Sequence, residues 1–362
     1  MQSRRSFLVG TSAAAMFIPL SGCASDATGD YEREQAQLRS LLSANPGLLD
    51  LIRLATLAPS GHNTQPWRFT VSDMGIRIRP DLSRRTSVVD PDDHHLFVSL
   101  GCATENLLVA AAATGRPGSI EFSEGLEGQI RIDLTSGRPT TDALYPAILE
   151  NQSTRSNYDA RSVSTENLKL LEFTSRIPGV SVIILTENKK RGEILEYVLR
   201  GNDAQMDNPA FVEELRDWIR FNPSQALRTG DGLFTRCSGQ PVIPTWIGRA
   251  AFSHFYKKNT EDPRYAQQIR TSAGVAIFIG DKADKNHWVK VGRSFQRFTL
   301  QATALGIRHS LINQPIEVPS VRTEFARFLG IGDIRPDLVV RFGYAPAMPM
   351  SLRRPIGDVI VP

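Results

Sequence analysis

Between a predicted helix and a predicted strand lies Ala58-Pro59-Ser60-Gly61-His62-Asn63-Thr64-Gln65-Pro66-Trp67-Arg68-Phe69, a run of small and amide side chains closed by two aromatic residues. A tight polar turn at a helix end leaves backbone N–H and C=O groups uncovered, and Ser60, Gly61 and Asn63 add to them without a bulky side chain in the way. Such a turn suits a ligand with donors and acceptors along one edge. The same residues also read as an Asn-rich turn with Trp67 packed in a core. Asp92-Asp93-His94-His95 has the residue types of a metal site, but it immediately precedes a helix starting near Leu96, where carboxylates favour the positive helix end. The other histidines lack ligand spacing and no cysteine pair stands nearby, so no metal is expected. His62 reads equally as a ligand contact or as a turn histidine with its own partner. Trp218, Trp246 and Trp288 are read as packing residues before stacking platforms. Neither the G-x-G-x-x-G nor the G-x-x-x-x-G-K phosphate loop occurs, and there is no G-x-S-x-G elbow.

The elements that must position these residues follow from hydrophobic spacing. Asn45 caps and Pro46 opens a helix through Leu48, Leu49, Ile52, Ala55 and Leu57 that ends at Pro59. Strands at 68–71 and 76–79 flank Asp73-Met74-Gly75 as a hairpin, followed by a helix at about 96–114 closed by Gly115 and strands at 119–122 and 129–134. The second half has helices near 165–175, 189–200 and 209–220, and a strand at 182–185. It continues with a strand at 275–279, a helix at 288–305 capped by Asn286, a strand at 307–312, a helix at 321–329 and a strand at 338–342. Residues 222–247 show no sustained periodicity and include Gly230, Gly232, Gly239, Pro241 and Pro244, the make-up of a long ordered loop that acts as a lid. Gly101 to Gly115 and Gly292 to Gly306 are both 15-residue segments that precede a predicted strand, and they share both glycines and two alanines, at Ala111 with Ala302 and Ala113 with Ala304. In that shared context they read as two diverged copies of one α+β unit, over 45–144 and 145–362, packed as a pseudo-dimer within the chain.

The 362 residues, 41% hydrophobic and 22% charged, describe a globular protein with a sizeable core. A net charge of +4, which falls to +2 without the segment carrying Arg4 and Arg5, gives no footprint for nucleic acid. Ser3-Arg4-Arg5-Ser6-Phe7-Leu8 leads into a weakly apolar run ending Leu20-Ser21-Gly22-Cys23, and this resembles a twin-arginine signal peptide joined to a lipobox. The run from Phe7 to Leu20 is shorter than the roughly 20 residues that span a bilayer. Residues 1–22 are therefore expected to direct export, to the periplasm or another extracytoplasmic site, through the twin-arginine machinery. Cys23 is the candidate for a lipid that tethers the chain to a membrane through a linker at 24–30, with a further N-terminal helix before residue 45. Only Cys102 and Cys237 remain to form a disulfide, if the fold joins them.

The turn at 58–69 resembles the A-P-S-x-x-N-x-Q-P-W-x-F signature of the nitroreductase superfamily. Leu215-Arg-Asp-Trp-Ile-Arg220 with Asp231-Gly232, Trp288 with Gly292-Arg293, Gln314-Pro315-Ile316-Glu317 and Arg353-Arg354-Pro355 extend the likeness to the Acg-like branch, over about 48–361. The resemblance implies an α+β, nitroreductase-like fold and a flavin, usually FMN, held between two subunits that are here two halves of one chain. It implies Ser60, Gly61, Asn63 and Gln65 from the turn, Ser153, Thr154 and Arg155 at an N-terminal phosphate motif, Arg353 and Arg354 at a C-terminal one, and Asn313 and Gln314 facing the flavin N5. Arginine suits a phosphate because its planar fork donates charged hydrogen bonds in pairs. The sequence departs from the pattern at Asn151 and Gln152, where relatives often carry arginines. No second Pro-Ser turn occurs near 201–209, so one flavin per chain and a monomer are expected. Hydride chemistry then belongs to the flavin, with no catalytic side chain required. Three functions remain open: reduction of a small acceptor such as a nitro compound or quinone, fed by NAD(P)H or another donor; flavin sequestration under a closed lid; and a structural lipoprotein with a relict fold and no flavin.

Overall fold

The computed structural model describes residues 21–43, 46–72, 75–125 and 127–362. The export segment at 1–20, the Cys23 side chain, the expected Asn45 cap and the Asp73-Met74 turn lie outside the described residues. Helix α1 (Ser21–Leu38) takes in the stretch 24–30 that was expected as a linker, and it anchors by burying Tyr31 and Leu38. Helix α2 (Leu48–Thr56) starts where the Asp50 carboxylate accepts the Gly47 N–H at 2.8 Å and buries Leu51, Ile52, Leu54 and Ala55. It stops before Pro59, which disfavours helical backbone at the residue ahead of it. A single 3-10 turn at Gly61–Asn63 leads into strands β1 (Trp67–Ser72) and β2 (Gly75–Pro80), helix α3 (His94–Ala113), and strands β3 (Gly118–Ser123) and β4 (Gln129–Leu134). These four strands form an antiparallel sheet in the order β1-β2-β4-β3. Ile76, Ile78, Ile130 and Ile132 fill its inner face, while Arg77 and Arg131 alternate outward, the period of two that a half-buried sheet requires.

The second half runs α4 (Leu144–Glu150), α5 (Thr165–Thr174), β5 (Val180–Leu185), α6 (Asn188–Met206), α7 (Pro209–Trp218), β6 (Ile219–Arg220), α8 (Pro223–Thr229) and β7 (Leu233–Phe234). It continues with α9 (Thr245–Phe255), α10 (Lys258–Arg270), β8 (Gly274–Gly280), α11 (Lys285–Ala304), β9 (Arg308–Leu311), α12 (Gln314–Glu317), α13 (Pro319–Phe328), β10 (Leu338–Gly343) and α14 (Ile356–Val359). Its main sheet is antiparallel in the order β5-β8-β10-β9. Strands β8 and β10 are buried along their whole length because helices cover both faces, with Phe278 in one cluster and Ile277 and Ile279 in another. Counted within its own half, each main sheet has the strand order first, second, fourth, third, and in each a 20-residue helix joins the second strand to the third.

Those two helices, α3 and α11, pack on each other. Gly101 and Gly292, the first residues of the two matched segments, meet at the crossing. A Cβ on Gly101 would lie 2.1 Å from the Val289 carbonyl oxygen, and one on Gly292 would lie 2.0 Å from that of Val98, so neither position has room for a side chain. Around them the buried Glu105 carboxylate accepts from Arg293 Nε and Arg297 Nη1, each at 2.8 Å, and Asn106 Oδ1 accepts from Gln296 Nε2 at 2.7 Å. Helix α3 is long and apolar enough to cross a membrane, but it is enclosed by protein instead. The chain end returns to the first sheet, where the Val361 N–H donates to the Phe69 carbonyl at 2.8 Å.

Several expectations are corrected. The stretch 222–247 is not irregular, since it contains α8, β7, a 3-10 turn at Thr235–Ser238 and the start of α9. Helix α10 escapes a periodicity search because Pro263 lies inside it and its sequence is strongly polar. Helix α11 begins three residues before the expected start, and its cap is Asp284, whose carboxylate accepts the His287 N–H, not Asn286. Cys102 and Cys237 are buried free thiols and form no disulfide.

Candidate functional site

Two adjoining cavities lie between the halves. The main one, about 250 Å³, is walled by the turn after α2, by α3, by α6 and α7, by the stretch around β7 and by the loop between β9 and α12. A smaller one, about 80 Å³, opens beside it and shares Pro59, Ser60, Arg155, Leu233 and Leu311 as common wall. The turn that starts this site is conformationally unusual. His62, Asn63 and Gln65 have φ of 48°, 54° and 54°, three non-glycine residues in the left-handed region within four positions. Such backbone persists only where the surroundings over-determine it, which is common at binding sites.

The expected site residues divide by what their polar groups do. Ser60 and Gly61 line the main cavity, with Ser60 Oγ accepting the Gln65 N–H at 3.0 Å. Asn313 and Gln314 line it from the other half; Asn313 Oδ1 accepts the Val339 N–H, while Gln314 Oε1 is buried without a partner. Ser153 lines the smaller cavity, its Oγ 3.4 Å from that of Ser310. Arg155 lines both, and its guanidinium makes no hydrogen bond or ion pair with any described residue.

The remaining expected residues are engaged within the protein. Asn63 reaches the smaller cavity, but its Nδ2 donates to the carbonyls of Gly232 at 3.0 Å and Leu352 at 3.3 Å. Gln65 is fully buried and lines neither cavity; its Nε2 donates to Gly230 and its Oε1 accepts the Arg354 N–H. Thr154 is likewise fully buried, with its N–H given to the His309 carbonyl. Arg353 was expected to offer a free fork to a phosphate. Instead it donates to the carbonyls of Thr56, Leu57, Ala58, Ser351 and Leu352, closing the C-terminus of α2, so only its charge faces the smaller cavity. Arg354 lines neither cavity and donates to the Gln65 and Asp358 carbonyls, with Asp81 3.5 Å away.

Several site residues escaped the sequence reading. Arg39, at the end of α1, lines the smaller cavity while its Nη1 donates to the Leu149 carbonyl at 2.8 Å. The wall of that cavity thus carries Arg39, Arg155 and Arg353 and no carboxylate. Desolvation pushes Arg39 down to about 10 and Arg353 down to about 9, and lowers Arg155; Arg353 is buried and the other two are half-buried, and none of the three makes an ion pair with a described residue. The stretch from β6 to β7 closes the site. Asp231 is held by Arg84 and by Arg220 at 2.7 Å, which brings Gly230 and Gly232 onto the turn after α2, and Leu233, Thr235 and Ser238 form cavity wall. Tyr31 of α1 braces this stretch, its ring 4.9 Å from Phe234 and its hydroxyl donating to the Met350 carbonyl. Of the tryptophans, Trp218 lies under Arg84, Trp288 packs edge-on against His94, and Trp246 is exposed; none lines either cavity. His62 lines the main cavity with its Nδ1 buried and unpartnered. The carboxylate at the start of α3 is Asp90, which accepts the N–H groups of His95 and Leu96, rather than Asp92 or Asp93.

His309, on β9 beside the smaller cavity, is 2% exposed and places its Nε2 2.8 Å from Asn151 Oδ1. Burial, then Arg308 and Arg341, lowers it to about 3. The unfolded chain takes up this proton below pH 6.5 and the folded chain does not, so the stabilisation is complete above that pH and is lost as pH falls toward 3. His309 is expected to account for about 2 kcal/mol of lost stability between pH 7 and pH 5. Urea unfolding of His309→Asn should show a pH dependence shallower by that amount, and an unchanged slope would contradict it.

No family model matches the chain. In sequence it is similar to the Mycobacterium tuberculosis (strain H37Rv) protein named "Putative NAD(P)H nitroreductase Rv3131", with 23% identity over 325 residues that cover 86% of this chain and 90% of that protein. The protein named "Putative NAD(P)H nitroreductase acg" from the same strain is 22% identical over 324 residues, 85% of this chain and 93% of its own. Among solved structures, a nitroreductase with bound FMN from Bacteroides fragilis overlaps 61% of this chain and 99% of its own, at 15% identity and a TM-score of 0.38. The chain is a distant homologue of the two mycobacterial proteins over most of its length.

Proposed function

We propose that this distant homologue of NAD(P)H nitroreductases binds one flavin mononucleotide between its halves and acts as a nitroreductase-type oxidoreductase on a small acceptor. The observation that carries the reading is the arginine wall without a carboxylate, opening into a larger cavity walled by both halves. One buried and two half-buried cations on one wall call for an anion, and a phosphate dianion on a planar ligand meets that need while its rim reaches the main cavity. Two buried atoms there, Gln314 Oε1 and His62 Nδ1, lack partners, as expected where a bound group supplies them. Arg155 and Ser153 would hold the phosphate end with the charges of Arg39 and Arg353 behind it, and Ser60, Gly61, Asn313 and Gln314 would meet the ring system. When bound, the flavin supplies hydride and electron transfer. The protein orients the ring, excludes water and leaves one face for donor and acceptor.

The two halves are read as diverged copies of one nitroreductase-like unit. Their common strand order and the Gly101 and Gly292 crossing support this, and the pseudo-dimer would make a monomer self-sufficient. Export by the twin-arginine route, with a lipid on Cys23, rests only on the resemblance of the N-terminal sequence to such a signal and would place the flavoprotein outside the cytoplasm. There NAD(P)H is scarce and another donor would serve. Sequestration of the flavin is the second reading, favoured by the bonds that pin Gly230 and Gly232 across the site. Anaerobic mixing of the purified protein with NADPH, and separately with reduced methyl viologen as a donor of another class, separates the two: bleaching of the flavin absorbance by either is the result expected of the reductase, and a bound flavin that neither reduces supports storage.

A further inference from the structure

Away from the arginine wall, the main cavity carries two histidines and a carboxylate whose surroundings differ. His95, in the first turn of α3, and Glu317, at the end of α12, line the cavity from opposite halves, and His95 Nε2 lies 3.3 Å from Glu317 Oε1. Gln205 of α6 donates to the other oxygen, Oε2, at 2.6 Å and fixes the carboxylate. The backbone of His95 is tied down as well, its N–H given to Asp90 at 2.9 Å. The second ring nitrogen, Nδ1, makes no hydrogen bond to any described residue, although the side chain is only 13% exposed.

We propose that His95, positioned by Glu317, is a charged hydrogen-bond donor subsite for an oxygen atom of the ligand that occupies the main cavity, so that the ligands favoured there carry a carbonyl, nitro or carboxylate oxygen. The subsite deepens the reductase reading and rests on it only for the ligand being a reducible acceptor, not for the binding itself. An imidazole with one nitrogen on a carboxylate has its other N–H oriented and its charge stabilised. Burial alone would lower His95; the hydrogen bond to Glu317, with the charges of Asp90 and Glu317, outweighs it and raises the group, while Arg335 opposes. Burial raises Glu317, and the hydrogen bonds and charge from His95 and Gln205 more than offset it, so the carboxylate is lowered. His94, next in the chain, is turned to Asp337 at 2.8 Å and takes no part. His62 lines the same cavity and is lowered to about 4 by burial, the opposite direction to His95. Environments that push two like groups apart assign them different work: one charged donor and one neutral ring.

The test uses benzoate as the oxygen-bearing probe, titrated calorimetrically into the full purified protein across pH, with the His95 protonation point read by NMR in the same sample. The charge on His95 is lost as pH rises through that raised point, so benzoate should bind about tenfold more weakly for each pH unit above it. Glu317→Gln should move both the protonation point and the binding transition to lower pH, and His95→Gln should bind weakly with no transition. Arg155→Gln should keep the transition, which separates this subsite from the arginine wall. Benzoate binding that is flat with pH in the natural protein, or a transition that survives His95→Gln, would overturn the proposal. Circular dichroism checks each variant, and if His95→Gln does not fold, the shift in Glu317→Gln decides. Protein without flavin would sink the reductase reading and leave this titration standing, whereas a His95 that titrates identically with and without Glu317 sinks the subsite whatever flavin does.

Discussion

Gly292→Ala is expected to destabilise the protein by about 3 kcal/mol or more, at the upper end of what overpacking a core costs. The added Cβ would sit 2.0 Å from the Val98 carbonyl oxygen and 3.0 Å from the Cys102 nitrogen, and both are backbone atoms of a buried helix that cannot rotate away. The two helices would have to separate. Separation would stretch the bonds from Arg293 and Arg297 to Glu105, a buried carboxylate whose unpairing adds to the penalty. Gly101→Ala, meeting the Val289 carbonyl at 2.1 Å, should cost a similar amount. Because the same crossing sets the distance between the two walls of the cavities, any variant that folds should also bind its ligand less well. Urea unfolding of both variants measures the first effect, and a loss below about 1 kcal/mol would mean that the crossing is looser than described.

Arg155→Ala should weaken binding of flavin mononucleotide about a hundredfold, or about 3 kcal/mol, the upper range for a hydrogen bond to a charged group. It alone of the three wall arginines makes no hydrogen bond or ion pair to a described residue, and it stands on the wall common to both cavities. Arg353 already serves five carbonyls, and its loss would be felt first as a frayed end of α2. Fluorescence titration with the nucleotide reads the affinity directly, and an unchanged dissociation constant for Arg155→Ala would remove the residue from the site.

The parts of the fold written in local pattern were legible: the strands carrying Ile76, Ile78, Ile130 and Ile132, the two long helices, and the turn at 58–69 that starts the site. The matched glycines at 101 and 292 were visible too, although only the packing shows that they face each other. What remained hidden depends on contacts far apart in the chain. Nothing around Arg39 marks it as cavity wall, since it arrives there because Tyr31 and Leu38 bury one face of α1. Arg353 and Arg354 stood out as charges, but a charge in sequence does not say whether a carbonyl or a ligand will take it. The order within 222–247 comes from long-range ties, Asp231 to Arg84 and Gly232 to Asn63, rather than from any repeat of apolar residues. His95 was read only with its neighbours as a metal motif, and its partner Glu317 lies at the other end of the chain.

The most direct test of the account is the flavin content of the purified protein, from its absorbance spectrum, the identity of the released cofactor by mass, and the ratio of cofactor to chain. One flavin mononucleotide per chain, held by a monomer, is the predicted result. A colourless protein that takes up no flavin mononucleotide, or one that needs two chains for each flavin, would contradict it.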